Sequence, residues 1–244
     1  MPPLKSREFM KKFALAIVAL VMLGNIAKAQ RPDLPGALIV EVGMNNWSSS
    51  PTNLTLNNFQ SKTVNITYFY DLPIGNSKFT FTPGLGLGLE KYSFEDNYTL
   101  NSSLDANSQL VVAPSLLSDN ISDVFEFGKS KMGMNYVDIP LEIRFYSRKN
   151  QYSRGFRAAI GGKVGILYSS FTKYKYEDIT GVRHMVKDRA DYGLNQFRYG
   201  IQGRVGFGGI SLFGYYELSD KFETAPAGGE NTKNLTFGIS LTGF

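Results

Sequence analysis

The chain contains no cysteine, one histidine and one tryptophan. Without cysteine it can form no disulfide framework and carries no lipidated cysteine. A single histidine without cysteine leaves too few of the ligands that zinc prefers. We therefore predict no metal site and no cofactor, and we expect the stability of the fold to come from its hydrogen-bonded backbone.

Long apolar runs are also absent, except near the N-terminus. Four basic residues precede the apolar run Phe13–Ile26, and Ala27-Lys28-Ala29 follows it. This order is typical of a signal peptide and predicts cleavage after Ala29. The alternative, a membrane anchor, is disfavoured because a spanning helix needs about 20 apolar residues. We therefore expect a signal peptide at residues 1–29 and one domain at residues 30–244.

Most of the excess positive charge lies in this leader. Its removal takes away five basic residues and one acidic residue, so the net charge falls from +5 to +1. A nucleic-acid surface needs a clustered positive field that neutralises phosphates. The mature chain lacks that field, and we predict no nucleic-acid partner.

The remaining sequence is built from segments in which apolar and polar residues alternate. In Tyr136–Tyr146, for example, Val137 and Ile139 lie on one face and Asp138 and Glu142 on the other, because successive side chains of a strand point to opposite sides. Eight such strands are predicted: Ala37–Asn45, Thr63–Leu72, Phe79–Glu90, Tyr136–Tyr146, Arg154–Ser170, Phe197–Phe207, Ile210–Leu218 and Leu235–Leu241.

Short and long connections alternate between these strands, as in bacterial outer-membrane barrels. The pattern predicts an all-β protein, an eight-stranded antiparallel up-and-down transmembrane β-barrel with long extracellular loops. A soluble eight-stranded ligand carrier of the lipocalin type is the alternative, since alternation alone does not say which face points inward.

Three features favour the membrane barrel and outer-membrane lipid as its surroundings. The polar face carries charges of both signs, and glycines are interleaved with them. Aromatic residues near predicted strand ends are expected at the membrane interface: Tyr68, Tyr70, Tyr92, Phe145, Tyr146, Tyr168, Phe171, Phe197 and Tyr199. The terminal Phe244 resembles the signal read by the outer-membrane assembly machinery, although its parity differs from that of Leu235 and Phe237.

Charged residues of the polar face form the candidate site. Eight strands leave an interior only wide enough for side chains, so we predict a structural network of lumen charges, with a gated polar path as the alternative. The alternation also turns Ser169 toward the lumen. The predicted network consists of Asp138, Glu142, Arg144, Arg157, Lys163, Arg198, Arg204 and Glu217.

Two further features bear on function. His184 lies in a polar stretch, and catalysis would require the imidazole to face a serine or a carboxylate; no such partner is recognisable in the sequence, so we predict no enzymatic activity. The predicted loop Phe94–Met134 is too apolar for a freely solvated segment. It is expected to prolong the strands, to fold over the barrel mouth or to present a partner-binding face.

The segment Asn135–Phe145, followed by Gly161–Gly165, Arg198-Tyr199-Gly200 and Phe207–Tyr216, resembles the PorT-like outer-membrane β-barrel family of Bacteroidetes. The resemblance implies an outer-membrane location, a non-enzymatic role and components of the type IX secretion system as partners. It carries over no active-site residue, because the family has no catalytic motif. The alternatives are a lipid-modifying barrel enzyme and a surface receptor or adhesin.

Overall fold

The computed structural model describes residues 36–148 and 155–243. Within them, one four-residue helix, α1 (Leu117–Asn120), accompanies the strands, and no described helix is long and apolar enough to cross a membrane. The described strands are β1 (Gly36–Trp47), β2 (Lys62–Tyr70), β3 (Leu72–Pro73), β4 (Phe79–Phe94), β5 (Tyr98–Leu104), β6 (Leu110–Leu116), β7 (Val124–Phe127), β8 (Ser130–Tyr146), β9 (Phe156–Asp178), β10 (Arg183–Asp188), β11 (Phe197–Phe207), β12 (Ile210–Glu217) and β13 (Asn234–Gly243).

Eight of these strands close into a barrel. The antiparallel order is β1, β2, β4, β8, β9, β11, β12 and β13, and β13 pairs back with β1. At the closure, Val40 lies opposite Leu241 on one side and Ile66 on the other. A closed ring satisfies its backbone hydrogen bonds without exposing an edge, which is what a bilayer requires. The predicted eight-stranded antiparallel barrel is confirmed.

The direction of the two faces separates a membrane barrel from a soluble one. The charged side chains Asp138, Glu142 and Arg198 are buried inside, whereas the apolar side chains of the same strands point outward. One outward residue from each barrel strand shows the pattern, with 40% to 66% of its surface exposed: Val42, Ile66, Leu87, Ile139, Val164, Ile201, Leu212 and Phe237. A soluble carrier would place its apolar side chains inside, so the lipocalin alternative is wrong.

Several strands extend beyond the predicted ends on the side of the long loops. β4 continues to Phe94, β8 begins at Ser130 and β9 runs to Asp178. Hairpins fill much of the rest: β5 pairs with β6, and β10 pairs with β9. The predicted loop Phe94–Met134 is therefore largely sheet, and so is the connection between the predicted strands Arg154–Ser170 and Phe197–Phe207.

A β-bulge in β9 changes the face of one predicted residue. Tyr136 lies opposite Leu167, but its neighbour Asn135 lies opposite Ser169, so Tyr168 is the extra residue. Residues directly opposite each other share a face. Ser169 therefore points outward with Asn135, and the predicted lumen orientation is wrong, because one inserted residue reverses the alternation beyond it.

Two of the predicted interface aromatics also face inward. Tyr92 and Tyr146 are buried inside the barrel, whereas Tyr70, Tyr168 and Tyr199 are exposed on its outer surface. Parity gives the reason for Tyr92, which continues the inward face of Glu90 in the extended β4. The predicted signal peptide and Phe244 lie outside the described residues.

The end of the barrel that carries the long loops holds an apolar cluster, which we call the apolar cap. Its centre is Trp47, whose ring lies 5.0 Å from that of Tyr92 and 6.1 Å from those of Phe94 and Phe222. The surrounding side chains come from the barrel strands and from four extracellular connections: Leu54, Leu56, Leu100, Val112, Met132, Met134, Tyr136, Tyr192 and Leu194. The connections fold over the barrel mouth, which is one of the three arrangements expected for the long loop.

Candidate functional site: the charged lumen

Below the apolar cap, an upper charge cluster is centred on Arg198. The guanidinium donates hydrogen bonds to both carboxylate oxygens of Asp138, at 2.7 Å from Nη2 to Oδ2 and 3.1 Å from Nε to Oδ1, and its Nη1 pairs with Glu90. Its flat face lies 3.6 Å from the ring centroid of Tyr136. Only 1% of Arg198 is exposed. Arginine suits this position because its planar fork binds a carboxylate in a bidentate manner while stacking on an aromatic ring.

Two lysines complete the upper cluster. Lys221 Nζ lies 2.7 Å from Glu217 Oε2 and 3.2 Å from Glu90 Oε2. Lys163 Nζ lies 3.8 Å from Asp138 Oδ2 and 3.8 Å from the ring centroid of Tyr215. Each carboxylate of the cluster therefore faces at least one cation, as charges removed from water require.

Glycines in the neighbouring strands make room for this cluster. A Cβ atom at Gly165 would lie 2.9 Å from Arg198 Nε and would collide with Asp138, and one at Gly88 would meet Asp138 Oδ2 at 2.5 Å. Any larger residue at these positions would displace the buried pair. In β4, glycine therefore alternates with leucine: the glycines face the lumen and leave space for the charged side chains, and the leucines form part of the apolar outer surface.

A lower charge cluster lies toward the short turns and is centred on Glu142. Its oxygens accept hydrogen bonds from Arg144 Nε at 2.8 Å, Gln202 Nε2 at 2.6 Å and Arg204 Nη1 at 2.8 Å. Arg204 Nε also donates to Glu41 Oε1 at 2.8 Å. These contacts connect three strands, β1, β8 and β11, across the interior of the barrel.

The predicted network is thus two clusters. Asp138, Lys163, Arg198 and Glu217 lie in the upper one, and Glu142, Arg144 and Arg204 lie in the lower one. Arg157 belongs to neither cluster. Its Nε donates a hydrogen bond to the hydroxyl of Ser211 at 3.1 Å. The structure thus divides the residues of the predicted lumen network between two clusters and places Arg157 outside both.

Sequence reasoning missed Lys221 and left Glu90 out of the network. Lys221 follows the predicted strand Ile210–Leu218, in a connection where strand alternation does not predict the direction of a side chain. Yet the side chain at every second position from Ser211 to Ser219 is buried, and Lys221 continues that series. Extending the parity of β12 by four residues would have identified it.

A small cavity lies inside the lumen, next to the lower charge cluster. This cavity, beside Arg144, Arg157 and Arg204, holds about 20 Å³, which is enough for about one water molecule. The upper cluster and the apolar cap occupy the lumen above it. In the described part of the chain, no group of three or more histidine, cysteine or carboxylate side chains is placed to hold a metal ion.

Comparison with known proteins agrees with this architecture. Residues 31–223 match the family model described as the outer membrane protein beta-barrel domain. The match covers more than half of the chain and all barrel strands except β13. The chain belongs to the outer membrane protein beta-barrel domain family. A search of curated proteins found no match.

Membership of the outer membrane protein beta-barrel domain family identifies the environment of the apolar outer surface. The outward-facing residues lie in the hydrocarbon of the bacterial outer membrane, and the long loops lie outside the cell. The predicted location is confirmed.

In this barrel domain His184 lies on β10, well outside the membrane. Its Nε2 is 2.8 Å from Asp178 Oδ2, and its ring stacks on Tyr176 with centroids 4.8 Å apart. The sequence had shown no partner for His184, and the structure supplies one. Asp178 also accepts hydrogen bonds from the Thr180 hydroxyl and from the Val182 N–H. The bonds from Thr180 and His184 hold the pKa of this carboxyl well below its usual value.

The position of Asp178 in the β9–β10 hairpin explains its hydrogen bonds. Asp178 occupies the first position of the turn between β9 and β10, where an aspartate commonly binds the backbone N–H groups that follow it. The hydroxyl of Thr180 bonds to the carboxylate, and no hydrogen bond from a hydroxyl to His184 is present in the described residues.

Proposed function

We propose that the protein is a non-enzymatic outer-membrane barrel that supports protein secretion or envelope assembly through its extracellular loops and lipid-facing surface. The observation that carries the proposal is the filled lumen, in which Arg198 and Glu142 are fully paired beneath the apolar cap. An eight-stranded interior occupied in this way offers no path for a substrate. A barrel of this kind acts from its outside.

Apolar side chains on the extracellular side support this proposal. Phe59, Phe125 and Ile179 are exposed to 82%, 75% and 68%. Exposed apolar groups on a protein surface commonly mark contact sites. The resemblance to the PorT-like family of Bacteroidetes favours components of the type IX secretion system as the partners, after delivery of the chain by the outer-membrane assembly machinery.

Photo-crosslinking in living cells tests the proposal. A photoreactive amino acid is introduced at Phe125 and, as a matched control, at the lumen residue Phe213, which is 6% exposed. We expect crosslinks to envelope or secretion proteins from position 125 only, together with reduced export of a secreted reporter when the protein is depleted. Normal export and an intact envelope after depletion, with no protein crosslink, would contradict the proposal.

The alternatives give different results in the same cells. A lipid-modifying enzyme would depend on the sole histidine, so His184→Ala would change the acyl pattern of lipid A in mass spectrometry; we expect that pattern to stay the same. A receptor or adhesin would lose ligand or host binding when the β5–β6 hairpin is trimmed, while secretion would continue.

N-terminal sequencing of the membrane form tests the proposed cleavage after Ala29.

A further inference from the structure

A lysine-rich surface lies on the outside of the extracellular parts of β4, β8, β9 and β10. We call it the lysine face. Six lysines line a groove of about 370 Å³ whose floor includes Gly133 and Phe171: Lys91, Lys129, Lys131, Lys173, Lys175 and Lys187. The groove is far larger than the residual cavity in the lumen, and it opens to the exterior of the barrel.

The register forces these positive charges together. Lys131 lies directly opposite Lys173, and Lys173 lies directly opposite Lys187, so three adjacent strands place like charges in one row. Like charges in directly opposed positions destabilise a sheet. Burial and the neighbours Lys129, Lys91, Lys62 and Lys173 lower the pKa of Lys131 from its usual value. The sheet therefore holds a repulsive arrangement that an anion would relieve.

The protein itself provides little compensation. Among the described residues, none of the six lysines forms an ion pair with a carboxylate, although Arg183 farther out on the hairpin pairs with Glu177 at 2.9 Å. Lys187 Nζ instead lies 4.1 Å from the ring centroid of Phe171. The charges of the upper and lower clusters are paired by contrast, so this row of uncompensated lysines belongs to the outer surface.

The height of the lysine face relative to the membrane indicates what the anion is. Lys91 follows Leu89 and Leu87 on the outward side of β4, and two residues of a strand span about 7 Å. Leu87 lies opposite the exposed Val137, which belongs to the lipid-facing surface. Lys91 therefore lies two outward positions beyond Leu87, about 14 Å along the strand, and this height places the lysines above the hydrocarbon at the level of the lipid headgroups.

We propose that the lysine face binds the phosphate groups of a phosphorylated lipid of the outer leaflet. The ammonium groups contact the phosphates, and the acyl chains lie along the apolar exterior of β4, β8 and β9 below the groove. Basic clusters next to a membrane surface bind anionic headgroups in this way. The site concerns the barrel exterior alone, and it is independent of the role proposed in secretion or envelope assembly.

Titration of the purified full-length protein in detergent with bisphosphorylated lipid A, followed by native mass spectrometry, tests the site. We compare Lys131→Gln/Lys173→Gln with a control of equal charge change, Lys78→Gln/Lys233→Gln, whose residues lie on a short turn and another loop. Each lysine near an anionic surface contributes about 1 kcal/mol to the binding free energy. The loss of two lysines should therefore weaken binding about 30-fold. The control should bind like the unchanged protein.

Other probes separate the sources of phosphate. Dephosphorylated lipid A and inorganic phosphate alone should both bind much more weakly than the bisphosphorylated lipid. Equal binding of dephosphorylated lipid A would show that only acyl chains are recognised, and equal binding of inorganic phosphate would show that no lipid is required. Either result, or equal affinity of the two double variants, would overturn the proposal.

The folded state gives a second readout. Because Lys131→Gln/Lys173→Gln removes repulsion, this variant should be at least as resistant to heat as the unchanged protein in lipid-free detergent. Bisphosphorylated lipid A should raise the heat resistance of the unchanged protein and of the control but have little effect on the lysine-face variant. An equal rise in all three proteins would contradict the assignment.

Discussion

The upper charge cluster predicts a large effect for the single change Arg198→Gln. The guanidinium is buried and holds both Asp138 and Glu90. After the change, Glu90 keeps Lys221 at 3.2 Å, but the nearest cation to Asp138 is Lys163 at 3.8 Å. Breaking a buried pair by removing one partner costs about 3–5 kcal/mol, and we expect a loss of this size in the free energy of unfolding.

An exposed ion pair in the same protein provides the control. Arg183 Nε lies 2.9 Å from Glu177 Oε2, a distance like those in the lumen, but 87% of the Arg183 side chain is exposed. Surface pairs of this kind often contribute nothing measurable because solvent screens them. Arg183→Gln should therefore unfold like the unchanged protein.

Urea titration in lipid vesicles measures both variants. Trp47, the sole tryptophan, is packed in the apolar cap, so its fluorescence reports unfolding. If the loss arises from the uncompensated carboxylate of Asp138, adding Asp138→Asn to Arg198→Gln should cost less than the sum of the two single changes. Equal stabilities of Arg198→Gln and Arg183→Gln would refute the structural role of the cluster.

Two further predictions concern the barrel wall. Ile139→Arg, which puts a charge on the lipid-facing surface near mid-membrane, should cost about 2–4 kcal/mol, whereas Ser169→Arg near the extracellular boundary should cost about 0–1 kcal/mol; equal folding yields in vesicles would mean that the depths are wrongly assigned. Gly165→Ala should lower the yield of heat-modifiable barrel on gels because its Cβ would collide with Asp138, whereas Gly162→Ala meets nothing closer than 3.6 Å. Similar yields for both alanine variants would argue against tight packing around Arg198.

Much of the barrel could be predicted from the sequence because the side-chain period of a strand is fixed at two. Asp138 and Ile139 had to face opposite sides, and the balance of charge and glycine on one face identified it as the lumen. The ends of β4, β8 and β9 were harder to predict. Outside the membrane both faces of a strand can be polar, so the alternation that marks a strand is lost there.

The partners within the lumen also required the structure. Arg198 and Glu90 lie 108 positions apart in the chain, and only the register of intervening strands brings them together. The bulge at Tyr168 and the cap around Trp47 likewise depend on contacts between distant segments. Lys221 was the exception, since the parity of β12 already pointed to it.

We propose that packed charges and the apolar cap close the lumen, so that the protein acts from its outside. Conductance across a planar lipid bilayer containing the purified, folded full-length protein tests this most directly. We expect no discrete conductance steps above the bilayer background, for the unchanged protein and for the surface variant Arg183→Gln alike. Stable, reproducible steps whose size changes with Arg198→Gln would contradict the account and establish a conducting path through the lumen.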